Sequence, residues 1–165
     1  MYIAPEWYPV GNMAKLRSLN MKDFGVLAWA AVVLPLTAVR LKFLGLGKTH
    51  DWAMGIDPAE PQSEIDSLAK SQHLARLINA VAMRGFYRAN CLCRSLVLLR
   101  AMRRRKLGGE LKVGVANEGG NSHFSTFNAH AWVESHNVII NDSKDVASRY
   151  SSFDRERPEK SCHFR

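Results

Sequence analysis

The sequence predicts an α+β fold in which one helix packs on an antiparallel sheet, with extra helices ahead of it. Three features predict this. Residues 88–105, RANCLCRSLVLLRAMRRR, carry no Gly or Pro and read as a single helix. Residues 127–134 alternate with a period of two, and the apolar run beginning at Val138 reads as the returning strand of a hairpin. Two apolar stretches of helical character, 21–46 and 63–82, come first.

The chain has 165 residues, the size of one domain that buries a core without disulfides or metals to staple it. A net charge of +8 points to anionic partners such as nucleic acid, anionic lipid or acidic peptide, without choosing among them. Three cysteines cannot all pair, so the expected setting is reduced and cytoplasmic. Residues 1–11 hold Tyr2, Pro5, Trp7, Tyr8 and Pro9, with neither the basic start nor the small-residue cleavage site of a signal peptide.

Residues 24–39 are sixteen in a row without a charge. That falls short of the roughly 20 a membrane-spanning helix needs, and Pro35 interrupts the run. The preferred reading is an N-terminal helix packed on the core. Lys22 before it and Arg40 and Lys42 after it would also suit a helix lying on a membrane face, which is the alternative. Residues 45–55 break the pattern, and 57–61 (DPAEP) make a linker. Ser63 caps a second helix whose first turn is acidic (Glu64, Asp66) and whose apolar positions include Leu68, Leu74, Leu77, Ile78 and Val81.

Residues 84–87 turn the chain into the third helix, where Asn90 is the N-cap and the basic run 103–106 suits the negative end of the helix dipole. Residues 111–115 read as a buried strand and 117–122 as a loop without a phosphate-binding pattern. The expected division is 1–61 (apolar helical region and linker), 62–150 (core) and 151–165 (polar tail).

Chemistry concentrates at the third helix. A thiol in a first turn lies at the positive end of the dipole, where a thiolate is stabilised; a buried structural cysteine is the plainer reading. At about 100° per residue, Cys91 shares a face with Ser95, Leu98 and Met102, while Cys93 points the other way, with Arg100 and Arg104. The first face is expected to look toward the core and the second toward solvent, making Cys91 the candidate nucleophile. His130 is the candidate base, on a strand face with Asn128, Trp132 and Glu134. The expected turn is three residues, Ser135, His136 and Asn137, which sets Asp142 directly opposite His130. A two-residue turn at His136 and Asn137 slips the register by one and carries Asp142 off that face. Thiol, imidazole and carboxylate would then be nucleophile, base and orienter.

These fragments together carry a resemblance. CLCRSL at 91–96, RRR at 103–105, LKVGV at 111–115 and AHAWVE at 129–134 resemble, in this order, the transglutaminase-like cysteine peptidases of lasso peptide biosynthesis, the B2 proteins. The likeness covers about 84–150. Lys106 departs from it, standing where the family has a glycine closing the helix, and the loop 117–126 is long. The resemblance implies a papain/transglutaminase-like fold and a catalytic set of Cys91, His130 and Asp142; Trp132 could wall the substrate site or simply fill core, and the resemblance favours the wall. It implies a precursor peptide as substrate, a separate leader-recognition (B1) protein and a lasso cyclase as partners, and no cofactor.

Other readings of the same residues are weaker. Cys91, Cys93 and Cys162 with His123, His130, His136 and His163 lack the paired spacing of zinc ligands. The run 103–106 lacks the interleaved aromatics of a nucleic-acid platform. A related acyl transferase would share the same three residues and differ in the acceptor. A basic membrane-surface scaffold would leave Cys and His structural.

Overall fold

The structure, a computed structural model, describes residues 20–55, 64–85, 87, 89–116 and 129–152. The expected N-terminal aromatic stretch, the linker 57–61, the Ser63 cap, the loop 117–122, Cys162, His163, His123 and Asn128 lie outside these residues. In order come α1 (Met21–Met54), α2 (Glu64–Arg84), α3 (Cys91–Arg103), β1 (Glu110–Ala116), β2 (Ala129–Ser135), β3 (Val138–Ile139), α4 (Val146–Arg149) and β4 (Tyr150–Ser152).

α1 opens with a capping box, in which Asn20 and Asp23 each satisfy the other's backbone N–H. Pro35 sits inside the helix and does not end it. The expected break at residue 45 is a kink: Gly45 adopts φ 74°, open to glycine without steric cost, and the helix resumes to Met54. Val26, Ala30, Leu34 and Thr37 are buried along one face. Val32, Leu36, Val39 and Phe43 are exposed on the opposite one.

α3 is the centre of the molecule, touching α1 and α2 on one side and β1 and β2 on the other. Cys93, Ser95, Leu96, Val97, Leu98, Leu99, Ala101 and Met102 are therefore buried all round it. Each buried leucine contributes on the order of 1.5–3 kcal/mol by leaving water. This corrects one expectation: the Cys93 face does not look to solvent, and Cys93 is 1 % exposed. α1 covers that face. Arg100 lies 4.1 Å over the Trp52 ring of α1 and donates to the Trp52 carbonyl. The guanidinium of Arg104 lies 5.7 Å from the Trp29 ring.

The helix closes without its glycine. Lys106 takes φ 62°, Lys106 N–H donates to Arg103 O (2.9 Å), and Leu107 N–H donates to Met102 O (3.0 Å). That is the Schellman arrangement, with Leu107 and Met102 both buried as its apolar pair.

The sheet is antiparallel in the order β3-β2-β1-β4. The hairpin corrects a second expectation. Glu134 pairs with Ile139 and Ser135 with Val138, so the turn is the two residues His136 and Asn137. Both have positive φ, 49° and 59°, as in the type I′ turn whose twist matches a two-residue hairpin. β4 was not anticipated: Ser151 and Ser152, placed in the polar tail by sequence, pair with Val115 and Gly114.

Candidate active site

Asn90 caps α3 by accepting from the Cys93 N–H at 2.8 Å, which leaves Cys91 as the first helical residue. One turn on, the buried Ser95 Oγ donates to the Ala131 carbonyl of β2 at 2.9 Å. Residues one turn apart share a helix face, so the bond that pins Ser95 to Ala131 also carries Cys91 to the neighbouring His130. The Cys91 thiol and that imidazole interact, each shifting the other's titration: His130 lowers the thiol and Cys91 raises the imidazole.

Asp142 reaches the same imidazole by leaving the sheet. Val133 and Ile140 begin as a hydrogen-bonded pair, with Ile140 N–H donating to Val133 O at 2.9 Å. The return bond is diverted: Val133 N–H donates to the side-chain Oδ1 of Asn141 at 2.8 Å. The amide oxygen stands in for the next strand carbonyl, the ladder stops, and Asp142 turns back toward β2. Its Oδ2 lies 2.6 Å from His130 Nε2. With Nε2 engaged, Nδ1 is the ring nitrogen left for the thiol.

Asn141 itself is fixed from three directions. Its Nδ2 donates to Ser95 Oγ (2.9 Å), its Oδ1 holds Val133, and its carbonyl accepts from Asn79 Nδ2 of α2 (3.4 Å). Asp142 is held as well, its Oδ1 accepting from Ser143 N–H at 2.8 Å.

The His130 ring stacks at 5.1 Å from the Tyr150 ring and 6.3 Å from the indole of Trp132. Trp132 Nε1 donates to Glu134 Oε1 at 2.7 Å, which gives that carboxylate a definite partner. At 1 % exposure Trp132 presents no surface to a substrate, so the expected substrate wall is instead packing beside the imidazole. Gly114 lies opposite His130 in the β1–β2 pairing. A Cβ there would come within 3.0 Å of the Trp132 indole and the Tyr150 Cβ, and 2.9 Å from the Ser151 carbonyl, so only glycine leaves room for both rings.

Electrostatics follow from this packing. Burial pushes the Cys91 thiol up, but the His130 hydrogen bond and charge, a backbone bond from Ala131 and the Arg94 charge outweigh it and bring it below the ordinary thiol range. His130 is pushed up to about 9, chiefly by its hydrogen bond to Asp142 and then by that to Cys91, against burial. Burial raises Asp142, yet the bonds to His130 and Ser143 hold it below the usual carboxylate value. Cys93 goes the other way: burial drives it up to about 11, with the Tyr87 hydrogen bond opposing only in part. The surroundings thus shift the Cys91 thiol toward its reactive thiolate form and the Cys93 thiol away from it. Among the described residues, no three His, Cys, Asp or Glu side chains gather as a metal set.

The model of the transglutaminase-like superfamily matches residues 33–154, about three quarters of the chain. The chain belongs to that superfamily, whose enzymes are of the cysteine peptidase and acyltransferase type. No curated protein and no solved structure gives a significant match.

Proposed function

We propose that this transglutaminase-like chain is a cytoplasmic cysteine peptidase that removes the leader from a ribosomally made lasso precursor peptide. The observation that carries the reading is the linked set of Cys91 thiol, His130 imidazole and Asp142 carboxylate, with Nε2 and Oδ2 at 2.6 Å. The finer identity rests on the motif order CLCRSL, RRR, LKVGV and AHAWVE across 91–134.

The Cys91 thiolate attacks the scissile carbonyl, and the backbone N–H of Cys91, at the first position of α3 where no intrahelical acceptor is available, would donate to the developing oxyanion. The His130 imidazolium gives its proton to the departing amine, leaving an acyl-enzyme. Water then attacks the thioester, His130 takes a proton from it, and the thiolate is released with the carboxylic acid. Asp142 keeps the ring oriented through both halves. A separate B1 protein would present the leader, and a separate cyclase would take the freed amino terminus.

The test is incubation of the purified protein with precursor peptide and leader-binding partner, followed by mass spectrometry. Cleavage that disappears in Cys91→Ala supports the reading. The superfamily also includes acyl transfer, so a parallel reaction with a primary amine separates the two: an amide product in place of the acid would make the chain an acyltransferase.

A further inference from the structure

The triad uses one side of the molecule, and the outward face of α1 is left without a partner among the described residues. Met21, Phe24, Val32, Leu36, Val39 and Phe43 fall within about a third of the helix circumference at about 100° per residue, opposite the buried row of Val26, Ala30, Leu34 and Thr37. These side chains are exposed, Leu36 by 53 % and Phe43 by 75 %. Cations border the stripe, Lys22 and Arg40 along one edge and Lys42 along the other, and no Asp or Glu occurs from 24 to 50.

A second feature adjoins it. Lys22 and Trp29, at the edge of the stripe, also line an open hollow of about 970 Å³ together with Leu74, Arg104 and Arg105. The one carboxylate in that lining, Asp23, is bonded to His73 at 2.8 Å. The Arg105 guanidinium is destabilised by burial and by the neighbouring charge of Arg104, with Asp23 opposing only in part. An apolar-walled hollow with surplus positive charge fits a phosphate-bearing amphiphile.

We infer that the outward face of α1 and the basic cavity beside it form a docking surface for an anionic phospholipid membrane. The stripe enters the boundary between headgroups and acyl chains, the geometry of an interfacial helix, while the bordering cations meet lipid phosphates. α1 is long and apolar enough to cross a membrane, but spanning would have to draw Val26, Ala30, Leu34 and Thr37 of the same helix out of the protein core, whereas docking by its outward face leaves that packing intact. Pairing of two copies through the stripe would set these cation rows near one another, on chains that each carry +8.

The experiment is flotation of the full-length protein with vesicles of phosphatidylcholine alone or with about a quarter phosphatidylglycerol. Binding is expected to the phosphatidylglycerol vesicles, to weaken roughly tenfold or more for Lys22→Gln/Arg104→Gln at low salt, and to be lost for Leu36→Gln/Phe43→Gln. Val32→Gln, at a site 60 % exposed, repeats the stripe test should the double variant unfold on a melting curve. Failure to float with phosphatidylglycerol, or flotation indifferent to the stripe variants, overturns the proposal. A wild-type dimer that the stripe variants convert to monomer also overturns it and makes the face an interface between copies. None of these readouts depends on peptidase activity.

Discussion

His130 and Asp142 meet at 2.6 Å although they are not opposite one another in the hairpin that joins them. The two-residue turn sets Asp142 off the His130 face, and the Asn141 side chain undoes that by ending the ladder one step early. The carboxylate thus depends on its own neighbour for its position.

Asp142→Asn should fold normally and lose cleavage by a factor of about 10³–10⁴, because an amide can hold the wrong imidazole tautomer. Nuclear magnetic resonance titration should show the His130 pKa falling from about 9, since the Asp142 bond is the chief cause of its elevation. A His130 pKa unchanged in this variant would remove Asp142 from the proposed catalytic set.

Asn141→Ala should be damaging, contrary to what a residue merely facing away from the site would show. It leaves the buried Val133 N–H without its partner and removes the bond that the Ser95 hydroxyl accepts, while that hydroxyl keeps its bond to Ala131, costing about 1–3 kcal/mol. Urea denaturation reads that loss. Single-turnover cleavage at a temperature where the variant is folded should fall with little change in KM, because Asp142 is misplaced while substrate contacts remain.

Iodoacetamide should alkylate Cys91 far faster than Cys93 at neutral pH, read by peptide mass mapping. Cys93→Ala should keep cleavage and lose on the order of 1 kcal/mol of stability from a small cavity. Equal labelling of the two thiols would contradict the opposed shifts that their surroundings impose.

The pH profile of cleavage should be a bell. Its acid limb lies below the ordinary thiol range, where Cys91 becomes protonated, and its alkaline limb lies near 9, where His130 loses the proton it must donate. Stability follows the same groups. The raised His130 contribution is complete below the unfolded value of 6.5 and is lost as pH climbs through about 9. The depressed Asp142 contribution is complete above 3.8 and is lost as pH falls through its lower folded value.

Two glycine exchanges should act in opposite directions. Lys106→Gly should raise stability by about 0.5–1 kcal/mol in thermal denaturation, because glycine takes φ 62° without the Cβ clash. Gly114→Ala should lower it by about 1–3 kcal/mol and slow cleavage, because backbone and ring atoms on two strands must retreat from the new Cβ.

Local patterning alone was enough for the third helix, its Asn90 cap, the alternation of β2 and the shared face of Cys91 and Ser95. Each of these depends on residues within a turn or two of one another, where periodicity and capping chemistry act directly. Cys91 and His130 were also readable there, from helical facing, strand alternation and the order of four short motifs, whereas Asp142 was reached through a turn register that the structure does not adopt. What the chain could not disclose by itself depends on distant segments. Helical facing separates Cys91 from Cys93 but cannot say that α1 will cover the second face and bury it. Alternation cannot choose between a two- and a three-residue turn, since both keep the strands apolar. The choice fell to the positive φ of His136 and Asn137. Nor does any local signal join Asn79, Ser95 and Asn141, from two helices and the end of a hairpin, into one buried network. Hydrogen-bond satisfaction in a closed core decides such contacts, and it operates only once the helices and sheet have excluded water between them.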